Sequence, residues 1–233
     1  MRKDNSFIAM MFDSIAFRYD FLNHLLSFGT DRLWRKKAVR QLAGKYDRPD
    51  ILDVATGTGD LSIAALKLNP AHITGIDISD KMLDIGRKKI NKKRLSGLIE
   101  MKHGDSENIQ FSDNSFDIAM VAFGVRNFSS PVDGLCEMHR VLKHGGTIMV
   151  LEFSKPVFFP FRLIYNFYFL RVLPLFGRFF SGDRRAYSYL PDSVMQFPDN
   201  EIFMEMLGKA GFNEIHQKKL TGGIATIYTG LKS

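Results

Sequence analysis

Three acidic residues mark the ends of successive apolar segments, and together they outline a ligand site. Asp53 lies in the segment Ile51–Ala55, which passes into the turn Thr56-Gly-Thr-Gly59 and then into a helical pattern. Asp77 ends the next apolar segment, and Asp105 follows the one after that. A strand, a tight glycine turn and a helix N-terminus hold nucleotide-like ligands in α/β proteins. If the segments are parallel strands, the three carboxylates lie in a row at one edge of the sheet.

The charge around the glycine turn separates two classes of ligand. A dinucleotide site has the pattern G-x-G-x-x-G and places a pyrophosphate on the helix N-terminus. Here Ser62 replaces the third glycine, and Asp60 stands in the first helical turn, where the pyrophosphate would lie. Like charges a few ångströms apart in a crevice cost about 1–4 kcal/mol. Asp53 and Asp60 therefore favour a cation such as S-adenosylmethionine over the cofactor of a nicotinamide-dependent oxidoreductase, which is the alternative.

The remaining acids suit the nucleoside part of that ligand. Asp77 is placed to accept hydrogen bonds from both ribose hydroxyls, as the acid about 20 residues beyond the glycines does in nucleotide-binding folds. Asp105 and Ser106 follow the third strand and can meet the adenine amine and a ring nitrogen. Buried acids without partners are expensive, so a purely structural role for Asp53 and Asp77 together is the weaker interpretation. The residues assigned to the cofactor site are Asp53, Gly57, Thr58, Gly59, Asp77, Met82, Asp105 and Ser106.

A second polar group follows the fourth strand, where this architecture normally faces the acceptor of a transferred group. The sequence there is Phe123-Gly-Val-Arg-Asn127. Arg126 stays protonated and can stabilise a developing phenolate, while Asn127 can fix an aromatic ring by hydrogen bonds. With Tyr19 or Asp20 they would hold a water that accepts the proton. We predict Arg126, Asn127 and Tyr19 as catalytic residues and no metal site; a structural pair between Arg126 and a carboxylate is the alternative.

Two nucleic-acid activities fit these residues poorly. Methylation of an adenine amine would require an Asn/Asp-Pro-Pro-aromatic run after the fourth strand, and the sequence there differs. Methylation of a cytosine carbon would require a nucleophilic cysteine close by. The single cysteine, Cys136, lies in a helical pattern and is expected to be a small buried residue. We therefore expect no nucleic-acid partner.

Alternating strand and helix patterns supply the scaffold for these residues. Strands are predicted at Ile51–Ala55, His72–Ile78, Ile99–His103, Phe116–Phe123, Thr147–Phe153, Glu214–Leu220 and Ile224–Leu231, and helices at Asp60–Leu68, Asp80–Ile90, Pro131–Leu142 and Glu201–Ala210. The last two strands flank Thr221-Gly-Gly223 and form a hairpin. This order predicts an α/β, Rossmann-like fold with a seven-stranded, mostly parallel sheet and an antiparallel last strand.

Two further segments complete one predicted domain over residues 1–233. Residues 1–46 form a helical cap, before a core at 47–153 and a C-terminal helix and hairpin at 199–233. Between the last two lies an insertion at 154–198. Residues 156–182 contain no acid but many phenylalanines and several arginines. Aromatic and basic residues together are typical of elements at a membrane interface, and a helical lid over the site is the alternative.

The composition indicates the cellular compartment of the protein but does not identify the class of its binding partner. The net charge of +7 suits nucleic acid, an anionic membrane surface or an anionic ligand equally. A single cysteine indicates a reducing compartment, and the N-terminus has no secretory h-region. No apolar run is long enough to span a bilayer. We expect a cytoplasmic protein with transient contact to the inner face of the membrane, and the sequence leaves its oligomeric state open.

The chain resembles the class I S-adenosylmethionine-dependent methyltransferases and, more narrowly, is similar to the ubiquinone/menaquinone biosynthesis C-methyltransferase family. The resemblance runs from about residue 10 to the C-terminus. Many methyltransferases share the glycine turn, whereas the Arg-Asn pair and Leu-Glu-Phe-Ser-Lys-Pro are much more restricted. The matching motifs are Met11-Phe-Asp-Ser-Ile-Ala-Phe-Arg-Tyr-Asp20, Asp53-Val-Ala-Thr-Gly-Thr-Gly-Asp-Leu61, Asp113-Asn-Ser-Phe-Asp117, Phe123-Gly-Val-Arg-Asn127, Arg140-Val-Leu-Lys-His-Gly-Gly146, Leu151-Glu-Phe-Ser-Lys-Pro156 and Leu220-Thr-Gly-Gly-Ile224.

The resemblance implies transfer of a methyl group from S-adenosylmethionine to a ring carbon of a polyprenyl quinol. It also implies cofactor contacts at Thr58, Asp77 and Asp105-Ser106. Demethylmenaquinol is the expected substrate because the chain lacks an N-terminal extension common in ubiquinone-pathway relatives. The alternatives are the ubiquinone-pathway 2-methoxy-6-polyprenyl-benzoquinol or a different small molecule. Relatives often have Gly at the position of Thr56 and Pro at that of His144, and neither difference removes a charge from the site.

Overall fold

A computed structural model describes residues 5–156, 159, 162, 163, 165 and 184–233 of the chain. Within them lie seven strands and seven α-helices. The strands are β1 (Asp50–Val54), β2 (His72–Asp77), β3 (Ile99–His103), β4 (Phe116–Ala122), β5 (Leu142–Phe153), β6 (Asn213–Leu220) and β7 (Ala225–Leu231). The helices are α1 (Asn5–Leu26), α2 (Thr30–Arg40), α3 (Asp60–Ala65), α4 (Asp80–Lys92), α5 (Pro131–Val141), α6 (Arg184–Gln196) and α7 (Glu201–Lys209).

The strands form one sheet in the order β3-β2-β1-β4-β5-β7-β6. The first five strands are parallel, and β7 runs antiparallel between β5 and β6. The chain order reverses between β1 and β4, so the loops after these two strands diverge and leave a crevice at their carboxyl ends. The predicted fold class is confirmed, including the antiparallel strand that follows the Gly-Gly turn.

The central strands are buried on both faces, as parallel strands covered by helices must be. Along β1, Ile51 packs into one apolar cluster while Leu52 and Val54 pack into the other. β4 alternates in the same way, with Met120 on one side and Val121 on the other. Because side chains alternate with a period of two, a shift of one residue would exchange the two cores. The glycine turn after β1 is therefore held in a fixed register beside the end of β4.

Two sequence predictions need correction. β5 begins at Leu142 rather than at Thr147, because Leu142 pairs with Phe116 and the chain then bulges through residues 143–146 before Thr147 pairs with Ile118. Gly145, whose φ is 78°, permits this bulge. The sequence pattern predicts a buried Cys136, but this residue is exposed on α5.

The helical N-terminal segment is present as α1 and α2, which are separated by a short turn ending at Gly29, with φ 71°. The predicted aromatic insertion lies largely outside the described residues. Its C-terminal part is α6, and isolated positions such as Phe159 and Tyr165 are described, the first exposed and the second buried. Over the part of the chain that the structure describes, each helix is too short or too polar to cross a bilayer.

Candidate functional site

An open cleft lies at the carboxyl edge of the sheet. Its walls come from the turn after β1, the ends of β2 and β4, and one side of α1. Five of the eight predicted cofactor residues and two of the three predicted catalytic residues line it: Gly57, Asp77, Met82, Asp105, Ser106, Tyr19 and Asn127. The described lining residues do not include the other four, which are Asp53, Thr58, Gly59 and Arg126.

Asp77 joins two loops of the cleft, the glycine turn after β1 and the loop after β2. One carboxylate oxygen accepts a hydrogen bond from the backbone N–H of Gly57 at 2.7 Å, and the other accepts one from Ser79 N–H at 2.9 Å. Burial raises the pKa of Asp77, and these backbone donors oppose the rise. The carboxylate thus fixes the glycine turn and still presents its remaining lone pairs to the cleft, as recognition of ribose hydroxyls requires.

The glycine turn presents bare backbone to the cleft. Gly57 has a φ of 56° and Gly59 a φ of 80°, values that residues with a side chain rarely adopt. No atom lies within 4 Å of the place where a Cβ on Gly57 would stand. A ligand can therefore approach this turn closely. The cleft fits S-adenosylmethionine, since a backbone cradle adjoins the carboxylates of Asp77 and Asp105.

Asp53 lies behind the turn and is 1% exposed. Its Oδ2 accepts hydrogen bonds from the hydroxyls of Thr56 at 2.7 Å and Ser62 at 2.5 Å. Its Oδ1 is buried and has no hydrogen-bond partner among the described residues. Burial raises the pKa of Asp53 to about 6, against the two hydroxyl donors. An incompletely compensated buried carboxylate is stabilised by a nearby cation, which supports the predicted role near a positively charged ligand.

This raised pKa gives a pH dependence to stability. The folded protein holds a proton on Asp53 that the unfolded chain releases nearer pH 4, so folding is favoured at low pH and this contribution is lost as the pH rises through about 6. The free energy of unfolding should fall by about 3 kcal/mol from this residue between about pH 4 and pH 7. Asp53→Asn, whose amide oxygen can still accept both hydroxyls, should remove that fall in urea unfolding.

The exposed residue Asp84 provides a matched control for this measurement, because Asp84→Asn removes a carboxylate from the surface of α4. Its unfolding curve should follow that of the wild type at each pH. Equal pH slopes for the wild type and Asp53→Asn would show that Asp53 keeps an ordinary pKa.

A polar network ties α1 to the glycine turn. The Lys89 ammonium donates to carboxylates of Asp20 and Asp60, each at 2.7 Å, and to the Thr58 hydroxyl at 3.0 Å. The same hydroxyl donates to Asp20 at 2.6 Å. Thr58 is thus committed to other residues of the chain, and its predicted contact with the cofactor remains a prediction. The network instead holds α1 over the cleft.

This network compensates the negative charge of Asp60. Burial would raise the pKa of Asp60, but Arg35 and Lys89 outweigh it and keep the pKa below its usual value. Asp60 is therefore ionised, but Lys89 neutralises much of its field. The preference for a cation at this edge depends more on Asp53, Asp77 and Asp105 than on Asp60.

His24, Asp31 and Asp60 bring three potential ligand atoms within 4.8 Å of one another. Their charges are already compensated, since Arg35 pairs with Asp31 and Lys89 pairs with Asp60. His24 Nδ1 also lies 2.8 Å from Asp31. We interpret this group as part of the network that anchors α1 and α2, and assign no metal to it.

Arg126 forms the structural ion pair that the sequence left as an alternative. Its Nη1 donates to Glu152 at 2.7 Å and also to the carbonyl of Phe123. The two side chains are 6% and 0% exposed. The guanidinium carbon lies 5.2 Å from the ring centre of Phe153, which supports it from one side. Arg126 therefore acts on the cleft through its charge and its neighbours rather than by lining the cleft.

Asn127 links the cleft to α6. Its Oδ1 accepts a hydrogen bond from the Tyr189 hydroxyl at 3.1 Å. Tyr189 packs against Ile8 and Met11 of α1, and Tyr19 of the same helix lines the cleft. Burial raises the pKa of both tyrosines, and the charge of Arg126 opposes the rise in each case. The field of Arg126 thus reaches the hydroxyls of both tyrosines.

Sequence reasoning assigned no site role to Glu152 or Lys89. Glu152 lies within the restricted motif Leu-Glu-Phe-Ser-Lys-Pro, and a buried glutamate in a strand signals a partner of opposite charge. The sequence therefore contained a signal for the ion pair of Glu152. Lys89 looked like an ordinary cation near a helix end, and only the packing of α1 gives it a role.

The fold and the acidic cleft with its glycine turn define a class I S-adenosylmethionine-dependent methyltransferase. A similar solved structure is an S-adenosylmethionine-dependent methyltransferase from Thermotoga maritima, described as a possible histamine N-methyltransferase, with a TM-score of 0.68 and 21% identity over 96% of this chain and 99% of that one. The [4+2]-cyclase SpnF aligns with a TM-score of 0.73 and 20% identity, over 99% and 97% of the two chains. At these identities the likeness shows the fold alone, since one fold supports different reactions.

The chain belongs to the ubiE/COQ5 methyltransferase family, whose model matches residues 1–232. A ubiquinone/menaquinone biosynthesis C-methyltransferase of Geobacter sp. strain M21 is 48% identical over 97% of this chain and 96% of that protein. A demethylmenaquinone methyltransferase of Bacteroides fragilis is 44% identical over 99% and 94% of the two chains. The predictions of family, of enzyme class and of S-adenosylmethionine as the cofactor are confirmed.

Proposed function

We propose that this enzyme methylates a ring carbon of a demethylated polyprenyl quinol, with demethylmenaquinol as the substrate. The observation that supports the proposal is that Asn127 and Tyr19 line the same cleft as Asp77 and Asp105, with Tyr19 in the field of the buried charge of Arg126. The names of the relatives support it, because they describe C-methylation in ubiquinone and menaquinone biosynthesis. The ubiquinone-pathway benzoquinol remains the second candidate, since the Geobacter relative carries both pathways in its name.

Residues of the cleft and of the glycine turn would hold S-adenosylmethionine. S-adenosylmethionine supplies an activated methyl group on a sulfonium. Asp77 would accept hydrogen bonds from the ribose hydroxyls, and Asp105 and Ser106 would contact the adenine. The bare backbone at Gly57 would allow the cofactor to approach the glycine turn closely. Met82 lines the same cleft and would pack against the adenine ring. Asp53 contributes its negative charge from behind the turn.

Asn127, Tyr19 and Arg126 orient the quinol ring and assist removal of its hydroxyl proton. Asn127, whose Oδ1 is held by Tyr189, fixes a quinol hydroxyl by hydrogen bonding. A water held beside Asn127 and Tyr19 takes the proton of that hydroxyl, because a guanidinium cannot accept it. Arg126 lowers the energy of the phenolate that forms, and this negative charge extends to the ring carbon that becomes methylated. Phe12, Phe123 and Phe128 line the cleft and keep water from the ring.

We further propose that the enzyme is cytoplasmic and binds transiently to the inner face of the membrane. A polyprenyl tail partitions into lipid, so an enzyme that methylates the ring must reach it from the bilayer surface. The net charge of +7 favours an anionic surface. The exposed side chain of Phe159, in the aromatic insertion, is consistent with such contact.

A quinone extract tests the substrate assignment. In a host that lacks its own enzyme of this family, expression of the chain should convert the demethylated quinone into the methylated one, and mass spectrometry would show which ring gains a methyl. Restoration of ubiquinone alone would favour the second candidate. If the quinone pool keeps its composition, the substrate belongs to another class.

A further inference from the structure

The outer side of α1 is apolar and exposed. Met10, Phe17 and Phe21 are 64%, 93% and 62% exposed, and their spacing of seven and four residues places them on one side of the helix. Phe28, in the turn that follows, is 83% exposed. A large contiguous apolar patch on a protein surface commonly marks an interaction site.

The other side of the same helix faces the protein. Ile8 and Met11 are buried, and Ile8, Phe12 and Tyr19 line the cleft. A helix that is apolar on both sides is ordinarily covered on both. One side of α1 is covered by the enzyme, and the outer side requires a second apolar environment.

The exposed charges that follow Asp13 in α1 and α2 all have one sign. From residue 14 to residue 46 the exposed ionisable side chains are cations, while the two acids, Asp20 and Asp31, pair with Lys89 and Arg35. The cations on the outer side of α2 begin four residues after Phe28. The exposed lysines and arginines of this range are Arg18, Arg32, Lys36, Lys37, Arg40 and Lys45.

We propose that this N-terminal face, formed by the exposed phenylalanines at 17, 21 and 28 with the cations of α2, binds the surface of an anionic lipid bilayer. The phenylalanines insert at the headgroup boundary, and the lysines and arginines contact anionic headgroups. A second copy of the chain fits less well, because a two-fold interface would oppose like charges. This inference deepens the proposed function and rests on it for the substrate: the helix that meets the lipid also lines the cleft that receives the quinol ring.

Flotation with vesicles tests the face directly. Phe17→Ser/Phe21→Ser should lower the fraction of enzyme bound to vesicles of phosphatidylcholine and phosphatidylglycerol at least about tenfold, since two inserted aromatic side chains are removed. The control is Ile202→Ser, which removes a side chain 58% exposed on α7 and should leave vesicle binding unchanged. Lys36→Glu/Lys37→Glu should weaken binding to the anionic vesicles and reduce its salt dependence.

Two activity assays separate this proposal from the proposed function. The phenylalanine variant should methylate a water-soluble, short-chain demethylated quinol at the wild-type rate and lose most activity on a polyprenyl quinol in vesicles. If the wild-type enzyme binds vesicles through this face but methylates neither quinol, the proposed function fails while the face is supported.

Three results would overturn the lipid assignment. The first is unchanged vesicle binding by the phenylalanine variant. The second is a lowered melting temperature for that variant, which would show that residues 17 and 21 pack against another part of the chain. The third is a wild-type dimer that becomes monomeric on substitution, or equal loss of binding to a single-stranded oligonucleotide, since either would identify a different partner.

Discussion

Replacing Asp77 by asparagine is expected to weaken binding of S-adenosylmethionine by at least about a hundredfold, because charge-assisted hydrogen bonds to two ribose hydroxyls each contribute about 1.5–3 kcal/mol. The amide cannot reproduce the native geometry. Both carboxylate oxygens of Asp77 accept backbone N–H groups, from Gly57 and Ser79, and an amide nitrogen would face one of these donors. The substitution therefore also loosens the glycine turn. Isothermal titration with S-adenosylhomocysteine measures the loss without turnover.

Asp80 offers a matched control for this titration. It lies three residues further along the chain, is exposed and pairs only loosely with His103, at 3.3 Å. Asp80→Asn should bind the ligand with the wild-type affinity. If Asp77→Asn also binds as the wild type does, the assignment of the ribose site to this carboxylate is wrong.

Separate removal of Arg126 and Glu152 is expected to destabilise the protein by about 3–5 kcal/mol each, because each change leaves a buried charge without its partner. The two side chains are nearly inaccessible to solvent and lie 2.7 Å apart. The double variant Arg126→Gln/Glu152→Gln replaces the ion pair by two amides that can hydrogen bond to each other. It should recover most of the lost stability in urea unfolding.

In Arg126→Gln and in the double variant, the rate of methyl transfer should respond differently from stability. Arg126→Gln and the double variant should both lose about a hundredfold to a thousandfold in kcat, since removal of one group that stabilises a developing anion costs about 2.7–4 kcal/mol. The KM for the quinol should change little, because Asn127 still orients the ring. Recovery of both stability and kcat in the double variant would show that the pair is structural and that its charge is not used.

The architecture was readable from the sequence because its signals are local. The strand at Ile51, the turn at Gly57 and Gly59 and the following helix lie within one short stretch, and the Gly-Gly turn near residue 222 predicts the final hairpin. The row of acids at strand ends follows from topology alone. The sequence therefore placed Asp77 and Asp105 at one edge of the sheet, where the structure has them lining the cleft.

The partners of these residues depend on contacts between distant parts of the chain. From the sequence, Arg126 is a candidate for either a catalytic role or an ion pair, and only the pairing of β4 with β5 brings Glu152 beside it. The sequence predicts an uncompensated charge for Asp60, whereas Lys89 of α4 lies 2.7 Å from it in the folded chain. Local patterns cannot reveal such partners, since many lysines in a sequence are equally available.

The most direct measurement of the central claim is methyl transfer by the purified enzyme from S-adenosylmethionine with a ¹³C-labelled methyl group. Reduced demethylmenaquinol with a short tail serves as the acceptor, and carbon NMR of the product identifies the atom that receives the label. The proposed function predicts one labelled methyl bonded to the free ring carbon of the naphthoquinol. A labelled methoxy or amine carbon, or no labelled quinone while a quinone-free acceptor is methylated, would contradict it.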